Sequence, residues 1–133
     1  MQRQCDNALE LARFLQGLGV DIEVNYPGLE KSPYHEIAEK QFRNGYGAIV
    51  TVRTGSKEKA FSIINSLKIP LIISNIGDTK TLVIHPESTI AAHISDEEKL
   101  QSGVFEDLIR ISVGIEDIED LKEDFKQAIE NNR

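Results

Sequence analysis

Apolar positions recur along this chain with two periods, and each change of period marks an element. Ala8, Leu11, Ala12, Leu15 and Leu18 fall at helical spacing within residues 4–18, with Gly19 as the expected stop. Ile22 to Val24 reads as a short strand, and Asn25-Tyr26-Pro27-Gly28 is turn chemistry. Ser32 followed by Pro33 predicts the N-cap and first residue of a second helix running to about Gln41. Gly45-Tyr46-Gly47 leads into Ala48–Val52, the clearest strand by composition. Ser56 then caps a helix that uses Ala60, Ile63, Ile64 and Leu67. Leu71–Ser74 and Thr81–His85 read as strands on either side of an Asn75–Lys80 turn. Ser95 and Glu98 form a capping box for a short helix ending near Gly103. Leu108–Val113 is a further strand, and Gly114 breaks it. The last helix carries Ile118, Leu121, Phe125, Ala128 and Ile129 on one stripe.

Helices and strands interleave, but the Asn75–Lys80 connection looks too short for a parallel crossover and predicts an antiparallel neighbour. The expectation is an α+β, two-layer domain. Its mainly antiparallel sheet of four to five strands is covered by helices on one face. At 133 residues the whole chain, 1–133, is one domain's worth of core. Its hydrophobic share of 40% and charged share of 28% are those of a globular protein. The net charge of −7 argues against nucleic acid, which needs clustered Lys and Arg. No apolar run approaches a membrane span, and MQRQCDNALELARFL is no signal peptide. Cys5 is the single cysteine, which fits a reducing cytoplasm and leaves no disulfide framework.

The residue that stands out is Arg110, a guanidinium amid Leu108, Ile109, Ile111 and Val113. Such a group is costly in an apolar strand unless something anionic meets it, and its planar fork suits a carboxylate. Two readings stay open: an arginine solvated or paired within the domain, or a ligand for an external carboxylate. Asn75 divides the same way, between an ordinary turn residue and an amide donor. His85 has no evident partner for general-base work and reads as a strand-end anchor for the Ser88-Thr89 loop. His35, His85 and His93 lack metal-ligand spacing. The acidic runs at Asp96–Glu98 and Glu116–Asp124 lack the calcium-loop pattern and read as helix N-termini.

Five segments, in order and nearly end to end, resemble the Cys/Met-metabolism enzymes that use pyridoxal phosphate (PLP). Asn25-Tyr26-Pro27-Gly28-Leu29 with Pro33 and His35 is similar to that family's YPGL…P.H segment. Asn75-Ile76-Gly77-Asp78 with Thr81-Leu82 is similar to its N-(L/V)-G-D…(S/T)-L. His85-Pro86-Glu87-Ser88-Thr89 resembles HPAST, and Ser95-Asp96-Glu97-Glu98 resembles SEEE. Ile109-Arg110-Ile111-Ser112-Val113-Gly114 completes the set. After Thr89 the chain departs from the pattern, since Ile90-Ala91-Ala92 intervene before His93.

The resemblance implies the small C-terminal domain of a fold-type I PLP enzyme, its first helix entering from a preceding domain. The family's Schiff-base lysine lies in an S-x-T-K segment, which none of this chain's lysines occupies. The implied roles are therefore partial. Arg110 would hold the α-carboxylate of an amino-acid substrate, with Asn75 beside it, and Asn75 before Gly77-Asp78 looks most like the O-acetylhomoserine sulfhydrylase branch. PLP and the catalytic chemistry would belong to a large partner domain of the parent enzyme. That enzyme would act in cytoplasmic methionine and cysteine metabolism, by γ-replacement on an O-acylated homoserine or by elimination, with homo-oligomer formation open. The other reading is a stand-alone, non-enzymatic domain that binds small carboxylates or a protein.

Overall fold

A computed structural model describes residues 1–133. Helix α1 (Gln2–Gln16) buries Ala8, Leu11, Ala12 and Leu15, the stripe its periodicity predicts. It ends at Gln16 rather than 18, where the Leu18 N–H turns to the Leu15 carbonyl in place of the helical partner four residues back. The left-handed turn follows at Gly19, φ 66°. Strand β1 (Glu23–Asn25) leads to α2 (His35–Gln41), which starts later than the Ser32-Pro33 pair predicts. There the Ser32 carbonyl accepts from His35 N–H and its hydroxyl accepts from Tyr34 N–H. Both groups are spent on a tight turn, and the helix begins without a side-chain cap.

Next come β2 (Ile49–Arg53) and α3 (Lys57–Ser66), whose N-cap Ser56 accepts from Lys59 N–H as expected. Strands β3 (Leu71–Ile72) and β4 (Leu82–Ile84) precede α4 (Asp96–Gln101), which has the full Ser95–Glu98 capping box. Strand β5 (Leu108–Ser112) and α5 (Ile118–Glu130) complete the chain. The Asp117 carboxylate accepts from Glu119 and Asp120 N–H at the start of α5, so acid serves as cap there.

The five strands form one sheet in the order β1-β2-β5-β4-β3. Contrary to expectation the sheet is mixed: β3 runs parallel to β4, with Leu71 opposite Leu82 and Ile72 opposite Val83. The expected Leu71–Ser74 strand stops at Ile72. A strand of two residues rises only about 7 Å, so the chain can return to its start through a short coil without a crossover helix. Gly77, φ 76°, supplies the reversal.

The remaining pairs are antiparallel, with Val52 opposite Ile109 and Val50 opposite Ile111. These side chains, with Val83 and Val113, meet α1, α3 and α5 in one core. Leu121 (0% exposed) and Phe125 (2%) are the α5 contribution. Burial of a side chain of this size stabilises the fold by about 1.5–3 kcal/mol. No helix is long and apolar enough to cross a membrane.

Candidate functional site on the open face of the sheet

Because side chains alternate along a strand, sending Ile109 and Ile111 to the core turns Arg110 and Ser112 to the opposite face. Register places Arg110 opposite Thr51 of β2 and Ile84 of β4, and Thr51 opposite Asn25 of β1. A row Asn25–Thr51–Arg110–Ile84 therefore crosses the sheet. Asn25, Thr51 and Arg110 line a cleft of about 540 Å³ together with Glu23, Arg53, Pro86, Ile90 and Phe105.

No acid lies within ion-pair distance of Arg110. Its Nη2 donates to the Ser74 carbonyl at 2.7 Å and, more weakly, to the Asn75 carbonyl at 3.4 Å. Its Nε–H is closed to solvent and has no acceptor. Partial burial lowers the guanidinium pKa from its ordinary value, with no neighbouring charge to offset it. A cation in this state has spare donors and an electrostatic reason to meet an anion.

Asn75 is thus brought to Arg110, but through its backbone carbonyl; no hydrogen bond engages its exposed side chain. The loop carrying it is tied down along its length. Gly77 N–H donates to Ser112 Oγ at 3.1 Å, and the Asp78 carbonyl accepts from Gln4 Nε2 at 2.8 Å. Asp78 closes a turn on Lys80 N–H, a bond that lowers its carboxyl pKa. Thr81 donates through N–H and hydroxyl to the Glu116 carboxylate, at 2.6 and 2.8 Å. Asn7 Nδ2 spans the Gly114 and Glu116 carbonyls.

The sequence assigned no hydrogen-bonding role to Gln4, Asn7, Thr81, Ser112 or Glu116. The available signal was in α1, where Gln4 and Asn7 are buried with the apolar stripe that packs on the core. Polar side chains on such a face need built-in partners.

His85 anchors the loop after β4. Its Nε2 meets the Glu106 carbonyl at 2.6 Å, which assigns the proton to Nε2 and leaves Nδ1 to accept from Ser88 Oγ at 2.8 Å. Thr89 Oγ1 donates to the His85 carbonyl. His35 bonds instead to the Pro27 carbonyl, and no cluster of His, Cys, Asp and Glu could hold a metal ion.

Residues 1–130 match the family described as Cys/Met metabolism PLP-dependent enzyme. The chain belongs to this family. Homocysteine synthase of Schizosaccharomyces pombe is 42% identical over 131 residues, covering 98% of this chain and 30% of that protein. O-acetyl-L-homoserine sulfhydrylase 1 of Thermus thermophilus is 42% identical over 129 residues, covering 96% and 31%. The solved O-acetylhomoserine sulfhydrylase of Wolinella succinogenes superposes with a TM-score of 0.82 at 38% identity, over 97% of this chain and 34% of its own. A Campylobacter jejuni protein assigned as an O-acetylhomoserine (thiol)-lyase gives a TM-score of 0.92 at 37% identity, over 96% and 31%. The chain thus spans about a third of the length of these relatives.

Enzymes of a PLP-dependent family need a lysine with a depressed pKa to carry the cofactor. The one buried lysine here is Lys99, and its Nζ is held by Glu87 at 2.8 Å. Lys57 bonds to the same carboxylate at 2.7 Å, and Lys122 pairs with Glu10 and Glu119. Carboxylate hydrogen bonds raise the pKa of Lys57 and Lys122 above the ordinary lysine value, the opposite of what a Schiff-base lysine requires. Lys57, Lys99 and Lys122, each held by a carboxylate, therefore do not fit as an attachment point for PLP.

Proposed function

We propose that this chain is the C-terminal, substrate-carboxylate-binding domain of a PLP-dependent sulfur amino-acid enzyme of the O-acetylhomoserine sulfhydrylase type. Arg110 binds the α-carboxylate of the amino-acid substrate, and Asn75 supplies an amide beside it. The cofactor and its lysine belong to the large domain of the parent enzyme. The parent reaction is γ-replacement on an O-acylated homoserine by a sulfur nucleophile, and this chain by itself turns over nothing.

The observation that carries the reading is the state of Arg110. It stands half-buried on the sheet face opposite the core, with an unpartnered Nε–H and no acid of its own. A structural arginine in a strand would be paired, since an unpaired guanidinium costs stability. A second observation supports a missing covering domain. Residues 71–80 are all exposed, among them Leu71 (41%), Ile72 (60%), Ile73 (42%) and Ile76 (61%), beside the site. Contiguous apolar surface of this kind marks an interaction face.

The test is Arg110→Ala in the longer enzyme that carries this segment. A charge-assisted carboxylate contact corresponds to about 10- to 100-fold in kcat/KM for O-acetyl-L-homoserine. Unchanged kcat/KM and unchanged KM for that substrate refute the assignment. The coding sequence before Met1 tests the placement: an in-frame PLP-lysine segment supports it, and a stop codon with a separate promoter refutes it.

A further inference from the structure

Arg110 and Ser112 stand two positions apart on β5 and face the same side, and both reach the same loop. Arg110 Nη2 donates to the carbonyls of Ser74 and Asn75, while Ser112 Oγ accepts from the Gly77 N–H at 3.1 Å. Gly77 is where the loop doubles back in the left-handed conformation, so this N–H points inward at the turn. Ser112 is 1% exposed, and water has no ready path to replace its oxygen.

The two halves of the loop are held very differently. The far half is fixed from several sides: Asp78 by Gln4, Thr79 by the Ile115 N–H, and Thr81 by Glu116. The near half, Ser74 to Gly77, is exposed and has hydrogen bonds only to Arg110 and Ser112. The direction of the guanidinium depends on where the Ser74 and Asn75 carbonyls sit. Of the two anchors, only Ser112 is independent of the guanidinium itself.

We infer, building on the reading of Arg110 as carboxylate ligand, that Ser112 is a positioning residue: its hydroxyl pins the loop whose carbonyls aim the guanidinium. Ser112 does not touch substrate. It sets the geometry from which Arg110 can offer its remaining N–H groups in bidentate fashion. The same anchor keeps Asn75 within reach of the same carboxylate.

Two measurements test this. In the 133-residue chain, Ser112→Ala is expected to speed hydrogen exchange at the Gly77 amide and to shift the Arg110 Nε–H resonance in a nitrogen-15 spectrum. Ser112→Thr, which keeps the oxygen, restores both. In the longer enzyme, Ser112→Ala is expected to raise KM for O-acetyl-L-homoserine about tenfold, the equivalent of one hydrogen bond. It should leave KM for sulfide unchanged, and Ser112→Thr recovers the loss. An Arg110 resonance unmoved by Ser112→Ala overturns the inference, as does an unchanged KM in an enzyme where Arg110→Ala raises it. If Arg110→Ala itself leaves KM unchanged, the ligand reading falls and takes the positioning role with it.

Discussion

Replacing Arg110 by methionine should leave the isolated chain at least as stable as before, although it deletes a buried part of a charged side chain. The change removes the 2.7 Å bond from Nη2 to the Ser74 carbonyl and the weaker one to Asn75. Both acceptors lie on exposed residues, so water takes over, and the loss is that of a typical net hydrogen bond, about 1 kcal/mol. Against it stands the Nε–H, closed to solvent without an acceptor; relieving such a group returns about 1–3 kcal/mol. Methionine keeps an unbranched stem along the sheet face between Thr51 and Ile84, so the packing share of the arginine is retained. The gain equals or exceeds the loss, and the expected change runs from about zero to a stabilisation of about 2 kcal/mol. Urea unfolding at neutral pH, followed by circular dichroism, measures it through the midpoint at constant m. A loss above about 1.5 kcal/mol with unchanged m would show that the guanidinium serves the fold, and the argument from its unpaired state would fail.

Asp124 offers the opposite case. Its buried carboxylate accepts from the N–H groups of Lys68 and Ile69 and from Gln127 Nε2, joining α5 to the end of α3. Asp124→Ala should cost about 2–3 kcal/mol in the same unfolding assay, because backbone donors are left without partners; a cost below about 0.5 kcal/mol would contradict it. Acid should also weaken the fold through Glu87. Hydrogen bonds from Lys57, then Lys99, hold its carboxyl pKa down from 4.5 to about 2. A lowered folded pKa means that this stabilisation is complete above the unfolded value and is lost as pH falls through about 4.5 toward 2. Melting temperature against pH should therefore fall less steeply in that window for Glu87→Gln than for the parent chain, and identical slopes would refute the assignment.

Where one local rule decided an element, the sequence was readable. The Ser56 cap, the Ser95–Glu98 box and the α5 stripe all appear as their residue types require. The parallel β3–β4 pair was not legible, because it depends on β3 being only two residues long. Strand length there is a tertiary outcome: the Ser74 and Asn75 carbonyls turn to Arg110, thirty-odd positions away in sequence. The start of α2 was missed for a related reason, since Ser32 spends its hydroxyl on the Tyr34 N–H two residues on. In the site, Arg110 announced itself as a charge in an apolar run. Ser112 did not, because a serine at an alternate strand position looks like ordinary polar alternation. Only the fold shows that the Gly77 N–H ends on it.

The strand order β1-β2-β5-β4-β3 puts the strand made last in the middle of the sheet. Until residues 108–112 have been synthesised, β2 and β4 have no common partner, and the polypeptide holds two separate strand pairs. Closure must bring Leu108 to Arg53 across everything between them, a long-range step that makes assembly late and cooperative rather than stepwise. A chain cut before Leu108 would lose the centre of its sheet rather than an edge. Because that same strand carries Arg110, the site comes into being only at the moment the sheet closes, and no partly folded precursor can hold it.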